Sequence, residues 1–229
     1  MKTLKTPLAG LLAGLLIVTA AQASDEVQLD GAKVGHWTMD FAAASKLAKE
    51  KNLPMMLNFT GSDWCGWCKL MDKGVFAKEE WNKYASKNVV LVTLDFPNDK
   101  SIVPKKYVAR NKSLQQQFGV RGYPTYVVLD SDGETQLGRL GAGRDKTPAS
   151  FIKEFQEVTR FSASSVAAYA KKNPDKAKAY KAALGEVRAS QKALRDWIAT
   201  GPQRNDENDK KFEAFKQRIS EANEALDKF

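Results

Sequence analysis

Cysteine and histidine are scarce: this 229-residue chain has two of the first and one of the second. With only Cys65, Cys68 and His36 to draw on, one chain cannot assemble the four ligands of a structural zinc site. Only a metal shared between subunits would remain. Covalent haem attachment requires histidine directly after the second cysteine, and that position is Lys69. No cysteine exists to staple distant segments, so the fold must rest on an apolar core. Long hydrophobic runs are also missing. The longest, Leu8 to about Ala21, falls short of the roughly 20 residues that a bilayer-spanning helix needs.

That run has a different meaning. Lys2 and Lys5 precede it without an acidic residue, and Ala21-Gln22-Ala23 places small residues where a signal peptidase cuts. Residues 1–23 are therefore predicted to be a secretory signal peptide, with the mature chain starting at Ser24 in a bacterial periplasm. An uncleaved anchor is the competing reading, and the lack of a cysteine at the cleavage site argues against a lipoprotein. The formal net charge is +9, and +7 without Lys2 and Lys5. An exported protein has little occasion to meet nucleic acid, so no nucleic-acid partner is predicted. Solubility suffices to explain the charge, and membrane contact is expected to be peripheral at most.

An apolar fraction of 43% and a charged fraction of 28% suit a soluble globular protein. Asp25 to Lys33 reads as a lead-in, and Val34–Thr38 as a strand. Asp40 is placed to cap a helix over 41–51, with Phe41, Ala44, Leu47 and Ala48 on its apolar face. Met55–Thr60 is a continuous apolar run typical of a strand buried on both sides. A turn at Gly61-Ser62-Asp63 leads into a helical pattern from Cys65. A further helix over 79–86, a strand over 88–96 and a helix over 107–118 follow. The pattern then gives a hairpin of strands, 123–129 and 136–140. Thr147-Pro148 opens a last helix to about Phe161. Strands alternating with helices, closed by a hairpin and a helix, predict an α/β layer fold with a central sheet.

Beyond Phe161 strand formers nearly vanish. Tyr180, Leu184, Val187, Gln191, Leu194 and Ile198 recur at steps of three and four, as do Phe212, Phe215, Ile219, Ala222 and Leu226. Two amphipathic helices joined through the Gly- and Pro-containing stretch 200–209 are predicted to form a C-terminal helical hairpin. The resulting division is 24–161 for the α/β domain and 162–229 for a helical extension.

The chemistry lies in Trp64-Cys65-Gly66-Trp67-Cys68-Lys69. A cysteine at a helix start faces unpaired amides and the positive end of the helix dipole, both of which stabilise a thiolate. Three residues on, the second cysteine returns to the same face and can displace a partner captured by the first. Cys65 is thus the predicted nucleophile and Cys68 the buried resolver. A bridge across so short a loop removes little chain entropy, so an inert structural disulfide is the weaker reading.

Phe59 to Cys68, FTGSDWCGWC, resembles the active-site segment of thioredoxin-like proteins, nearest the exported branch that includes the C-terminal domain of the membrane thiol:disulfide interchange reductase. Val120-Arg121-Gly122-Tyr123-Pro124-Thr125 resembles that family's second motif. The resemblance spans about Val34 to Phe161 and implies a thioredoxin-like fold. It also implies a cis Pro124 beside the cysteines, with the Tyr123 backbone free to pair with an extended substrate. It implies no cofactor beyond the redox-active Cys65–Cys68 pair. One departure stands out: Asn58 occupies the position where the family carries a buried aspartate that assists the resolving cysteine. Water, Asp63 or Asp95 are the candidate substitutes. Trp64 is expected to pack under the site, Trp67 and Gly66 to shape the surface between the cysteines, and Lys69 to add positive charge nearby or simply to be solvated. His36 is expected to be a strand residue without a catalytic duty.

These readings favour an exported thiol–disulfide oxidoreductase working as a reductase on protein thiols and disulfides, recharged by an electron donor the sequence does not identify. Two alternatives from other classes remain. One is a binding or assembly module that recognises extended segments and recruits a partner through its helices. The other is a redox sensor whose helical hairpin docks or releases with the state of the pair.

Overall fold

A computed structural model describes residues 27–229. The signal-peptide expectation for 1–23 lies outside the described residues. Five strands form one mixed sheet: β1 (Trp37–Thr38), β2 (Met55–Thr60), β3 (Val90–Asp95), β4 (Thr125–Leu129) and β5 (Gln136–Gly141), in the spatial order β1-β3-β2-β4-β5. The first three run parallel. The hairpin strands β4 and β5 run antiparallel, β4 against β2 and β5 against β4.

The two central strands, β2 and β3, are buried along their whole length, which accounts for their unbroken apolar sequence. Because side chains alternate across a strand, each supplies both faces of the sheet. Leu57, Phe59, Val92 and Leu94 meet α1 (Phe41–Lys51) and α4 (Lys105–Gln117) through Ala44, Ala48 and Leu114. On the other face Met56, Leu91, Tyr126 and Val128 meet three further elements. These are α2 (Gly66–Met71) with the π-helical turn that continues it (Asp72–Phe76), α3 (Glu79–Asn88) and α5 (Pro148–Thr159). The centre of that layer is an aromatic cluster. In it Phe151 meets Phe76, Trp81 and Tyr126 edge-on, with ring centroids 5.2 Å, 5.4 Å and 5.3 Å away. This is the thioredoxin-like α/β fold expected from the sequence.

Local signals placed several elements correctly. The Asp40 carboxylate accepts the Ala43 amide as an N-cap, and Thr147 and Ser150 form a reciprocal capping box ahead of Pro148. The strand expected over 34–38 shrinks to Trp37–Thr38. Gly35 turns the chain with a left-handed φ of 75°, a conformation glycine adopts without steric cost. Its backbone also lies so close to Ser86 that a Cβ would sit 2.4 Å from it. His36 therefore lies in a turn rather than a strand.

The extension holds three helices where two were expected: α6 (Ala163–Lys172), α7 (Ala177–Ala199) and α8 (Asp206–Leu226). Helix α6 escapes a reading of the sequence because none of its residues is fully buried, so its apolar periodicity is weak. Tyr180, Leu184 and Val187 of α7 pack on Ala222 and Leu226 of α8, with Val166 and Tyr169 of α6 against them. Buried Asp130, directly after β4, clasps this bundle to the sheet. Its carboxylate accepts the Ala163 amide that opens α6, at 3.0 Å, and faces Arg188 of α7 at 3.5 Å. Arg188 also donates to the Phe161 carbonyl at 2.7 Å. Among the described residues no helix is long and apolar enough to cross a membrane.

Candidate active site

Strand β2 ends at Thr60, and the chain turns through 61–64 into α2. Gly61 is required there because the Trp64 indole lies against it; a Cβ would meet Trp64 Cε2 at 2.3 Å. Cys65 is the N-cap of α2: its amide donates to the Gly61 carbonyl at 2.8 Å, and its sulfur accepts the Cys68 amide at 3.1 Å. Cys65 and Cys68 are joined as a disulfide with Cα atoms 5.2 Å apart. Cys68 is the deeper of the two, at 1% exposure against 5% for Cys65. The sulfur of Cys65 thus sits where the free amides of a helix start converge, the environment that favours a thiolate once the bond is reduced.

The turn is held from β3 and from the loop beyond it. Asp95, buried at the end of β3, accepts the Ser62 amide at 2.9 Å and the Ser62 hydroxyl at 2.5 Å. Asp63 accepts the amides of Asn98 and Asp99 at 3.0 and 2.9 Å. The Asp99 amide first, then the Asn98 amide, hold its carboxyl below the ordinary carboxylate range. Lys69 donates to the Asp63 carbonyl at 2.6 Å, which ties α2 back to the turn. Both acidic residues therefore brace the loop, a role that depends on contacts between distant parts of the chain and leaves no trace in local sequence.

The second motif meets the first through aromatic rings. The Tyr123–Pro124 peptide is cis. The Tyr123 ring meets Trp64 edge-on at 5.6 Å and leans on Phe96 at 5.4 Å, and its hydroxyl accepts from Gln115. Burial pushes the Tyr123 hydroxyl above its ordinary pKa. Trp64 donates its indole N–H to the Phe96 carbonyl at 2.9 Å. The expectation that Trp64 packs beneath the site is not met. It stands at the flank, 46% exposed, because Gly61 leaves room for the ring on that side. Trp67 and Leu70 are also exposed, so the surface beside the disulfide is apolar.

Asn58 lies on β2 in register with Thr93 of β3 and Tyr126 of β4. It is buried, and its Oδ1 has no hydrogen-bond partner; the same holds for Thr60 Oγ1. Both residues line a cleft of about 660 Å³ beside α2, together with Lys69, Asp72, Thr93 and Asp95. The orphaned Asn58 oxygen has no signature in sequence beyond the polar residue in an apolar strand.

Comparison with known proteins fits this geometry. Over 101 residues, 44% of this chain and 60% of the relative, the sequence is 36% identical to the disulfide bond reductase DsbH of Chlamydia pneumoniae. Over 111 residues, 48% of this chain, it is 28% identical to the thioredoxin-related protein DsbJ of the same organism, of which it spans 31%. The chain thus covers less than two thirds of either relative. A solved DsbH oxidoreductase superposes with a TM-score of 0.51 at 28% identity, over 58% of this chain and 92% of that one. Residues 41–159, just over half of the chain, match the thioredoxin-like domain model, and this chain belongs to that family.

Proposed function

We propose that this protein is an exported thiol–disulfide oxidoreductase that reduces disulfides in other proteins. The observation that carries the reading is the Cys65–Cys68 disulfide at the start of α2, with Cys65 receiving a helix amide and cis-Pro124 joined to it through Trp64 and Tyr123. In the dithiol form the Cys65 thiolate attacks a substrate disulfide. A Cys65–substrate bond forms, and the displaced substrate sulfur leaves as a thiolate that takes up a proton. Cys68 then gives up its proton and attacks Cys65; the Cys65–Cys68 bond forms and the second substrate sulfur leaves. Two electrons pass to the substrate, and a dithiol donor must restore the pair. No cofactor is needed beyond the protein's own disulfide.

The backbone of Tyr123 and the apolar surface of Trp67 and Leu70 are the proposed seat of an extended substrate segment. The reductase direction is supported by the likeness to a disulfide bond reductase. Export to the periplasm is supported by the character of residues 1–23, and the division into 24–161 and 162–229 by the change of architecture after α5.

The test is turnover of a protein disulfide such as that of insulin, with dithiothreitol as donor. The protein should accelerate reduction, and Cys65→Ser should abolish the acceleration. Unchanged turnover in the double Cys65→Ser, Cys68→Ser variant would exclude the mechanism. A cellular phenotype that survives in that variant would favour a binding module instead.

A further inference from the structure

Four buried side-chain atoms among the described residues lack a hydrogen-bond partner, and two of them, Asn58 Oδ1 and Thr60 Oγ1, lie on β2 under the active-site helix. A buried acceptor left unpaired is costly, so an orphan in a native site calls for a physical reason. The placement of Cys68 supplies one. Met56, Asn58 and Thr60 point to one face of β2 because strand side chains alternate. Cys68, Met71 and Val75 fall on one face of the helical segment above, at steps of three and four. Met56, Met71 and Val75 already pack in one cluster. One step from Met56 toward the Cys end of the sheet is Asn58, and one turn from Met71 in the same direction is Cys68. Lys69 and Asp72, next to Cys68 and one turn beyond it, line the same cleft as Asn58.

We propose that Asn58 is a positioning residue for the resolving cysteine, its Oδ1 accepting the Cys68 S–H when the pair is reduced. In the disulfide form described here Cys68 carries no hydrogen, and the oxygen has no donor. Reduction by a dithiol breaks the Cys65–Cys68 bond and delivers two electrons and two protons; the proton on Cys68 completes the Asn58 hydrogen bond while the donor becomes a disulfide. The cysteine S–H is a weak donor, but here it replaces no bond at all rather than a bond to water. Asn58 therefore favours the dithiol state and holds Cys68 as a neutral thiol aimed down at the sheet until Cys65 has captured a substrate. This role rests on the oxidoreductase reading, and its tests require no substrate.

Two measurements decide it. Equilibrated with glutathione buffers, Asn58→Leu should shift the dithiol–disulfide equilibrium about tenfold toward the disulfide, about 30 mV to more negative potential for a two-electron couple. A shift below about twofold overturns the proposal. In reduced Cys65→Ser protein, where Cys68 is the single thiol, the infrared S–H stretch should lie below that of an unbonded thiol and return toward it in Asn58→Leu. Thr60→Val should leave it in place. An unbonded-thiol band with Asn58 present overturns the proposal even if no Asn58 variant folds, and a band that moves with Thr60 and not with Asn58 does the same. Failed turnover on insulin with these two results intact would refute the oxidoreductase reading alone.

Discussion

Replacing Asp95 separates two roles that an acid near a thiol pair can play: anchoring the turn or taking a proton. Its carboxylate is buried and receives both the Ser62 amide and the Ser62 hydroxyl. Hydrogen bonds to a charged group contribute about 1.5–3 kcal/mol each, and removing the acceptor also strands the Ser62 amide. Asp95→Ala should therefore lower stability by about 3 kcal/mol in urea denaturation of the disulfide form, with the m-value unchanged. The turn it releases carries Cys65, so insulin reduction should fall on the order of tenfold through lost positioning.

Asp95→Asn gives the decisive contrast. The amide oxygen still accepts the Ser62 N–H, and the amide nitrogen can donate to the Ser62 hydroxyl oxygen, but no proton can be taken up. Anchoring predicts that Asn retains turnover within about threefold and loses about 1 kcal/mol of stability. If Asp95→Asn is as inactive as Asp95→Ala while as stable as the parent, the anchoring account is wrong and Asp95 works as a base. If Asp95→Ala changes stability by less than about 0.5 kcal/mol, the hydrogen bonds described here do not hold the turn.

Two further outcomes follow from the packing and the charges. The Phe151 ring is fully buried among Phe76, Trp81 and Tyr126. Phe151→Ala should cost about 3–5 kcal/mol, and a loss under about 1.5 kcal/mol in urea would mean the layer refills. Asp63 has a folded pKa held below the ordinary 3.8, so its bracing is fully present above that pH and is lost as the pH falls through the lowered value. Asp63→Asn should accordingly flatten the acid side of the stability–pH curve below 3.8, and an unaltered acid limb in thermal melts would contradict that assignment.

Much of this architecture could be read from the sequence because its signals are local. The unbroken apolar runs at 55–60 and 90–95 are the two strands buried on both faces, and Asp40 and Thr147 cap the helices they precede. The cysteine spacing at a strand-to-helix turn located the site. What escaped depends on contacts across long separations. Nothing near Ser62 indicates that Asp95 holds it, and nothing near Asp130 indicates that it caps α6 and faces Arg188. Gly35 breaks the first strand through a close approach to Ser86, which arrives only with α3. Trp64 takes its unexpected place for a related reason: the room for its ring is set by Gly61 beside it and by Tyr123, which comes from far along the chain.

The Asp130 clasp has a geometric consequence. Asp130 follows Leu129, which pairs with Met55 at the first residue of β2, whereas the cysteines follow Thr60 at its last. The helical bundle and the disulfide therefore occupy opposite poles of the molecule, about 20 Å apart along the length of that strand. Cargo gripped by the bundle leaves the sulfurs open to traffic. A substrate and a recharging dithiol must share one doorway in turn, while a third protein can ride at the rear throughout the cycle.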